Sequence, residues 1–344
     1  MVVVALAALL VLGALAYPSR YLILSRLHVG AGSDAGALGL RVVADVPLEG
    51  GASRFDYQSL DAERGLLFIA HLGADQVVAF DVRQQKVAGY VRGVPSPHGL
   101  LVVPEAHRVF VSATGAHQLA VVDEDDLRVA ANVSDAGDLP DGVAYDAGTV
   151  RVLVSDESGG AVVVIDARTD ETLGRIDLGG EAGNVQEDAI GKQVVAAAQG
   201  RGELALLDPA AMRVTASIAL PGCDGPHGFY VDAPARRAYV SCEEDARLVV
   251  VDLDAKREVA GPFAVGEVPD VLAFDPGLHR LYVASESGVV ATFDARDGTL
   301  SPRASAYLAP AAHSIAVDPA THRVFVPLED VGGRPVLRIL EPAP

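Results

Sequence analysis

Pro226-His227-Gly228-Phe229-Tyr230-Val231-Asp232, Arg236-Arg237-Ala238-Tyr239-Val240-Ser241 and Arg247-Leu248-Val249-Val250-Val251-Asp252 form three short runs rich in β-branched and aromatic residues, with turn residues between them. Each run reads as a strand. The pattern repeats along the chain. With His227 as the landmark, the corresponding positions are Asp56, His98, Asp141, Asn184, His227, Asp270 and His313, separated by 42 or 43 residues. A fixed period of this length, filled with short strands, is the signature of a β-propeller in which each repeat supplies one four-stranded blade. One blade cannot bury both of its faces, so the repeats must stack around an axis. Seven landmarks predict an all-β fold: a seven-bladed β-propeller spanning residues 40–344.

First strands end in a recurring acid, Asp61, Asp146, Asp232, Asp275 and Asp318, and third strands in Asp81, Asp123, Asp166, Asp208, Asp252 and Asp294. Their placement at turns predicts side-chain acceptors for nearby backbone N–H groups rather than catalytic acids. Glu341 occupies the third-strand acid position of blade seven, so the C-terminus leaves that blade without an outer strand. Residues 40–48 align without gaps on the outer strand at 212–220, and the N-terminal strand is therefore expected to complete the last blade. This covers an edge otherwise open to aggregation.

The second-strand sequences Tyr239-Val240-Ser241-Cys242 and Tyr282-Val283-Ala284-Ser285 are similar to the YVTN β-propeller repeat of the YncE-like proteins, and the resemblance extends over roughly residues 40–344. No repeat spells Y-V-T-N, and the absence of Trp argues against WD40 and Trp-docked quinoprotein propellers. The resemblance implies seven blades and a location outside the cytoplasm. It implies no single chemistry, since such proteins include binding proteins and related propellers include lactonases.

Half the residues are hydrophobic, enough for a large β core. Val2 to Ala16 is an unbroken apolar run, shorter than the ~20 residues of a comfortable bilayer span. Ala14-Leu15-Ala16 fits a cleavage site, so residues 1–26 read as a signal peptide, with an N-terminal membrane anchor as the alternative. Membrane contact is expected only through this segment. Residues 27–39, rich in Gly, Ala and Ser, read as a linker. A net charge of −19 without a basic cluster argues against nucleic acid as a partner. Cys223, in the loop entering blade five, and Cys242, at the end of that blade's second strand, should emerge on one face and form a disulfide in an exported protein.

The landmark column is the strongest candidate for function. It holds three of the nine histidines, three Asp and one Asn, and Pro97, Pro140, Pro226 and Pro269 precede four of them. Such residues at the heads of innermost strands should gather at the mouth of the central channel. His98, Asp141, His227, Asp270 and His313 are the candidate ligands for a divalent metal ion. Asp56, Gln58, Asn184, Gln186 and Glu187 are candidate contacts for a small polar or cationic ligand, because Gln58 and Gln186 stand where other blades place large apolar residues. Glu157, Glu243, Glu286 and Glu329 form a second acidic column on the same face, with His71 one position earlier in blade one.

Three functions fit: an exported binding protein with a metal or small-ligand site at the channel mouth; a metal-assisted hydrolase of the lactonase type, with His98, His227 or His313 as base; and a protein-interaction scaffold with an inert channel. The sequence contains no Ser-His-Asp spacing, nucleophile elbow or phosphate-binding Gly loop to favour another chemistry.

Overall fold

The computed structural model describes residues 33–296 and 298–344. The signal-peptide or anchor segment at 1–26 lies outside the described residues, as does the linker up to residue 32. The linker's remainder is no free tether. Ala35–Leu38 form a 3-10 turn capped by Asp34, the Asp34 N–H donates to the Tyr307 carbonyl, and Ala35 and Leu38 are buried between blades six and seven.

Seven four-stranded antiparallel sheets surround an axis, and no α-helix occurs among the described residues. Blade five is typical, with strands Pro226–Asp232, Arg237–Cys242, Arg247–Asp252 and Arg257–Ala264 in spatial order. In blade seven the order is Ala316–Asp318, Arg323–Leu328, Val336–Pro342 and then Leu40–Pro47. The N-terminal strand closes the ring with Leu40 opposite Pro342 and Pro47 opposite Val336.

The burial pattern explains why the middle strands read as continuous apolar runs. Leu248 to Val251 are all buried because both faces of the blade meet a neighbour, whereas outer strands such as Arg213–Ala219 alternate. Among the described residues the core divides into seven clusters, one at each seam between blades. Phe229 and Val240 of blade five, for example, pack on Leu204 and Leu206 of blade four.

The recurring acids are turn-formers. Asp81 Oδ1 accepts from the N–H groups of Arg83 and Gln84 at 2.9 and 2.8 Å, Asp252 accepts from Asp254 and Ala255, and Asp275 accepts from Leu278. Asp294 departs from the set because its strand runs on to Arg296. Cys223 and Cys242 are joined in a disulfide across blade five, with Cα atoms 5.1 Å apart.

Candidate binding site at the channel mouth

A backbone irregularity aims the landmark side chains. In blades two, three, five and six the pairing between first and second strands skips a step: Pro226 faces Cys242 and Phe229 faces Val240, so His227 and Gly228 together oppose Ser241. The same bulge holds His98, Asp141 and Asp270. A bulge bends the strand and redirects a side chain, and all four landmarks line the cavity at the mouth. In blades two, three and five the next residue is a glycine pressed against the neighbouring blade. A Cβ on Gly228 would overlap the Asp270 carbonyl, and one on Gly99 the Asp141 carbonyl. Ser112 Oγ completes that seam by donating to Asp141 O at 2.6 Å, and Ser314 Oγ donates to Asp56 O at 2.5 Å.

The mouth encloses about 650 Å³. Its lining includes Asp56, Asp141, Glu157, Glu181, Glu243, Asp270, Glu286 and Glu329. Arg54, His98 and His227 are the basic groups in that lining. On the side of blades six, seven and one, ligand atoms of Asp56, Asp270 and His313 all lie within 4.8 Å of one another, and all three residues are buried. His313 Nδ1 sits 2.9 Å from the Ala311 carbonyl, which makes Nδ1 the donor and leaves the Nε2 lone pair free. That Nε2 is buried with no hydrogen-bond partner among the described residues. An imidazole held through one nitrogen by a carbonyl and grouped with two buried carboxylates is the arrangement metal sites use.

Two neighbours frame this trio. Tyr57 O–H donates to Asp270 Oδ1 at 3.2 Å. Arg54 pairs with Glu286 at 2.5 Å and lies 3.8 Å from Asp56. Burial alone would lower the Arg54 pKa, but Glu286, Asp56 and Asp270 more than offset it and hold the guanidinium charged. Burial, reinforced by Asp56, pushes the Asp270 carboxyl up to about 7.

The other wall centres on His227. Its Nε2 lies 3.9 Å from both Asp141 Oδ2 and Asp270 Oδ1. Its Nδ1 meets Gln199 Oε1 at 2.8 Å, and Gln199 Nε2 donates to Glu243 Oε2 at 3.0 Å. Burial opposes a charge on this ring, yet Glu243, Asp270, Asp141 and Glu157 outweigh it and raise the pKa to about 9. Burial and then Asp141 push Glu157 up to about 8, and burial also raises Asp141.

The structure thus divides the candidate residues. Of the expected metal set, Asp270 and His313 fall in the buried trio, with Asp56 from the expected ligand set as the third member. His98, Asp141 and His227 line the mouth outside that trio. Gln58, Asn184, Gln186 and Glu187 lie at the opposite end of the channel, around a second cavity of about 560 Å³. There the two amides tie blades together. Gln58 Nε2 donates to Ser314 Oγ at 3.0 Å, and Gln186 accepts from Val231 N at 3.0 Å and donates to the Phe229 carbonyl at 2.5 Å. Asn184 Oδ1 accepts from the Val185 N–H, and Glu187 accepts from Ala147 N. Gln186 and Glu187 satisfy backbone groups of neighbouring blades, while Gln58 Oε1 is buried with no hydrogen-bond partner among the described residues.

All four members of the second Glu column line the mouth, and Glu243 and Glu286 are buried. His71 is buried, stacks on Phe55 at 3.9 Å and contacts Ser53 Oγ at 3.0 Å; burial lowers its pKa to about 4. Sequence reasoning missed Arg54, Tyr57 and Glu181. Tyr57 carried a signal, since it occupies the position held by Gly99, Gly142 and Gly228 in other blades. It lines both cavities and forms the floor between them.

No family model matches the chain, and no curated protein matches it. Solved structures do. A chain of Kuenenia stuttgartiensis hydrazine synthase superposes with a TM-score of 0.70 at 17% identity, covering 87% of this chain and 97% of that one. The WD40 repeats of RRP9 give 0.72 at 10% identity, covering 90% and 98%. A streptogramin B lyase gives 0.70 at 9% identity, covering 88% and 97%. At these identities the likeness is one of fold. The chain is a seven-bladed β-propeller.

Proposed function

We propose that this chain is an exported, YncE-like propeller of the YVTN-repeat kind whose channel mouth binds a divalent first-row metal ion. The supporting observation is the buried trio Asp56, Asp270 and His313, with an imidazole nitrogen that lacks a partner among the described residues. Carboxylate oxygens suit Mn²⁺ and imidazole suits Zn²⁺, so a mixed set favours ions of this class. Burying two acids and an unpaired imidazole nitrogen is costly in the absence of a cation to share. The Cys223–Cys242 disulfide supports export, because such bonds persist in oxidising compartments. The same bond supports reading the apolar segment at 1–26 as an export signal or anchor.

Isothermal titration of chelator-treated protein with Mn²⁺ and Zn²⁺ tests the reading. One ion should bind per chain, and Asp56→Asn, Asp270→Asn and His313→Ala should each abolish tight binding. Absence of binding by the wild-type protein would leave the scaffold reading, with an inert channel.

The hydrolase reading is weaker. Four surrounding acids keep His227 charged near neutral pH, and a protonated imidazole cannot serve as general base. Turnover of a lactone panel, lost in His98→Ala or His313→Ala, would restore it.

A further inference from the structure

We propose that the wall of the mouth formed by blades three to five, around Asp141, Glu157, Glu181 and Glu243, is a subsite for a linear aliphatic diamine. It shares with the metal reading only the premise that the mouth is the binding face, and it needs no ion.

Asp141 carries the inference. The residue is 5% exposed, lines the cavity, and its Oδ2 has no hydrogen-bond partner among the described residues. The nearest basic group, His227 Nε2, stands 3.9 Å away, beyond hydrogen-bond reach. A buried carboxylate oxygen without a donor is costly unless a ligand supplies one. The neighbouring acids point to the ligand's charge. Burial first, and then Asp141, Glu181 and Glu243, raise the Glu157 carboxyl, with His227 opposing them, and four acids of this wall line the same cavity.

Spacing decides between a metal and an organic cation. Among the described residues only Asp56, Asp270 and His313 bring donor atoms within 4.8 Å of one another. The acids of blades three to five do not converge in that way, so one small ion cannot satisfy them together. Two ammonium groups on a short chain distribute their N–H donors over several carboxylates, and a mouth of about 650 Å³ admits such a molecule beside the trio. Glu181, exposed at the rim, stands where the second ammonium would enter.

The test is calorimetric titration of chelator-treated protein at low salt with 1,4-diaminobutane, n-butylamine and 1,4-butanediol. The diamine should bind, the monoamine more weakly, and the diol not at all. Asp141→Asn and Glu157→Gln should each weaken the diamine by about tenfold, the worth of one hydrogen bond to a charged group. Asp56→Asn and His313→Ala should change it by less than about threefold, since they lie across the mouth. Glu181→Gln, at an exposed position, should weaken binding severalfold with no change in thermal midpoint, so the outcome survives misfolding of the buried variants. Equal binding of diol and diamine, no diamine binding, or a loss in the trio variants as large as in the wall variants would overturn the proposal. Mn²⁺ titrations of the same samples separate the two ideas: amine without metal removes only the metal reading, and metal without amine removes only this one.

Discussion

Tyr57 and Asp270 come from blades one and six, far apart in sequence, and meet across the channel through a 3.2 Å hydrogen bond from the phenol to Oδ1. The phenol thereby fixes the orientation of one proposed metal ligand and floors the mouth. Tyr57→Phe keeps the floor and removes the bond. It should lower Mn²⁺ or Zn²⁺ affinity by about 10–100-fold, as loss of an outer-sphere partner does, and alter the visible spectrum of a Co²⁺-substituted site. Unchanged affinity and spectrum would show that the bond does nothing for the site.

Gly228→Ala should destabilise the protein by about 1–3 kcal/mol, the usual range for overpacking. The added Cβ has no room because it would overlap the Asp270 carbonyl at the seam of blades five and six. The urea midpoint of unfolding measures this, and a midpoint equal to wild type would mean the blades separate without cost.

His71 sets an acid limit on stability. Burial lowers its folded-state pKa to about 4 from an ordinary value of 6.5. A depressed pKa means that the folded state resists taking up the proton. Its contribution is therefore full above pH 6.5 and is lost progressively as pH falls through about 4. Thermal midpoints measured from pH 7 to 4 should fall less steeply in His71→Gln than in the wild-type protein.

Replacing both Cys223 and Cys242 with Ser should cost about 3 kcal/mol, since a bond closing a loop of this length removes about that much disorder from the unfolded chain. The sequence separation is 19 residues. Denaturant unfolding of the double variant, beside wild type with and without reductant, checks the figure; reductant should have no effect on the variant.

The ring was legible because the repeat is spelled in its turns. Acids at strand ends, such as Asp81 and Asp252, recur because each must accept from the same backbone N–H groups. The outer strand of blade seven was legible from residues 40–48, whose pattern matches outer strands elsewhere. What the landmark column could not reveal is how far each side chain reaches. Asp270 and His313 converge with Asp56, while Asn184 turns back to the Val185 N–H, although all four occupy equivalent positions. Gln58 and Gln186 stand out because polar residues break an apolar column, and the column could not show that their amides reach a hydroxyl and backbone groups in neighbouring blades. A column records position along a strand; hydrogen-bond demand from the next blade is not written there.

Leu40–Pro47 pairs with Val336–Pro342, so the strand that completes blade seven comes from the opposite end of the propeller sequence. Ring closure is therefore a long-range pairing, the kind of contact that slows folding. Once latched, the two ends hold each other, and no blade can peel away from either terminus without first breaking that shared sheet.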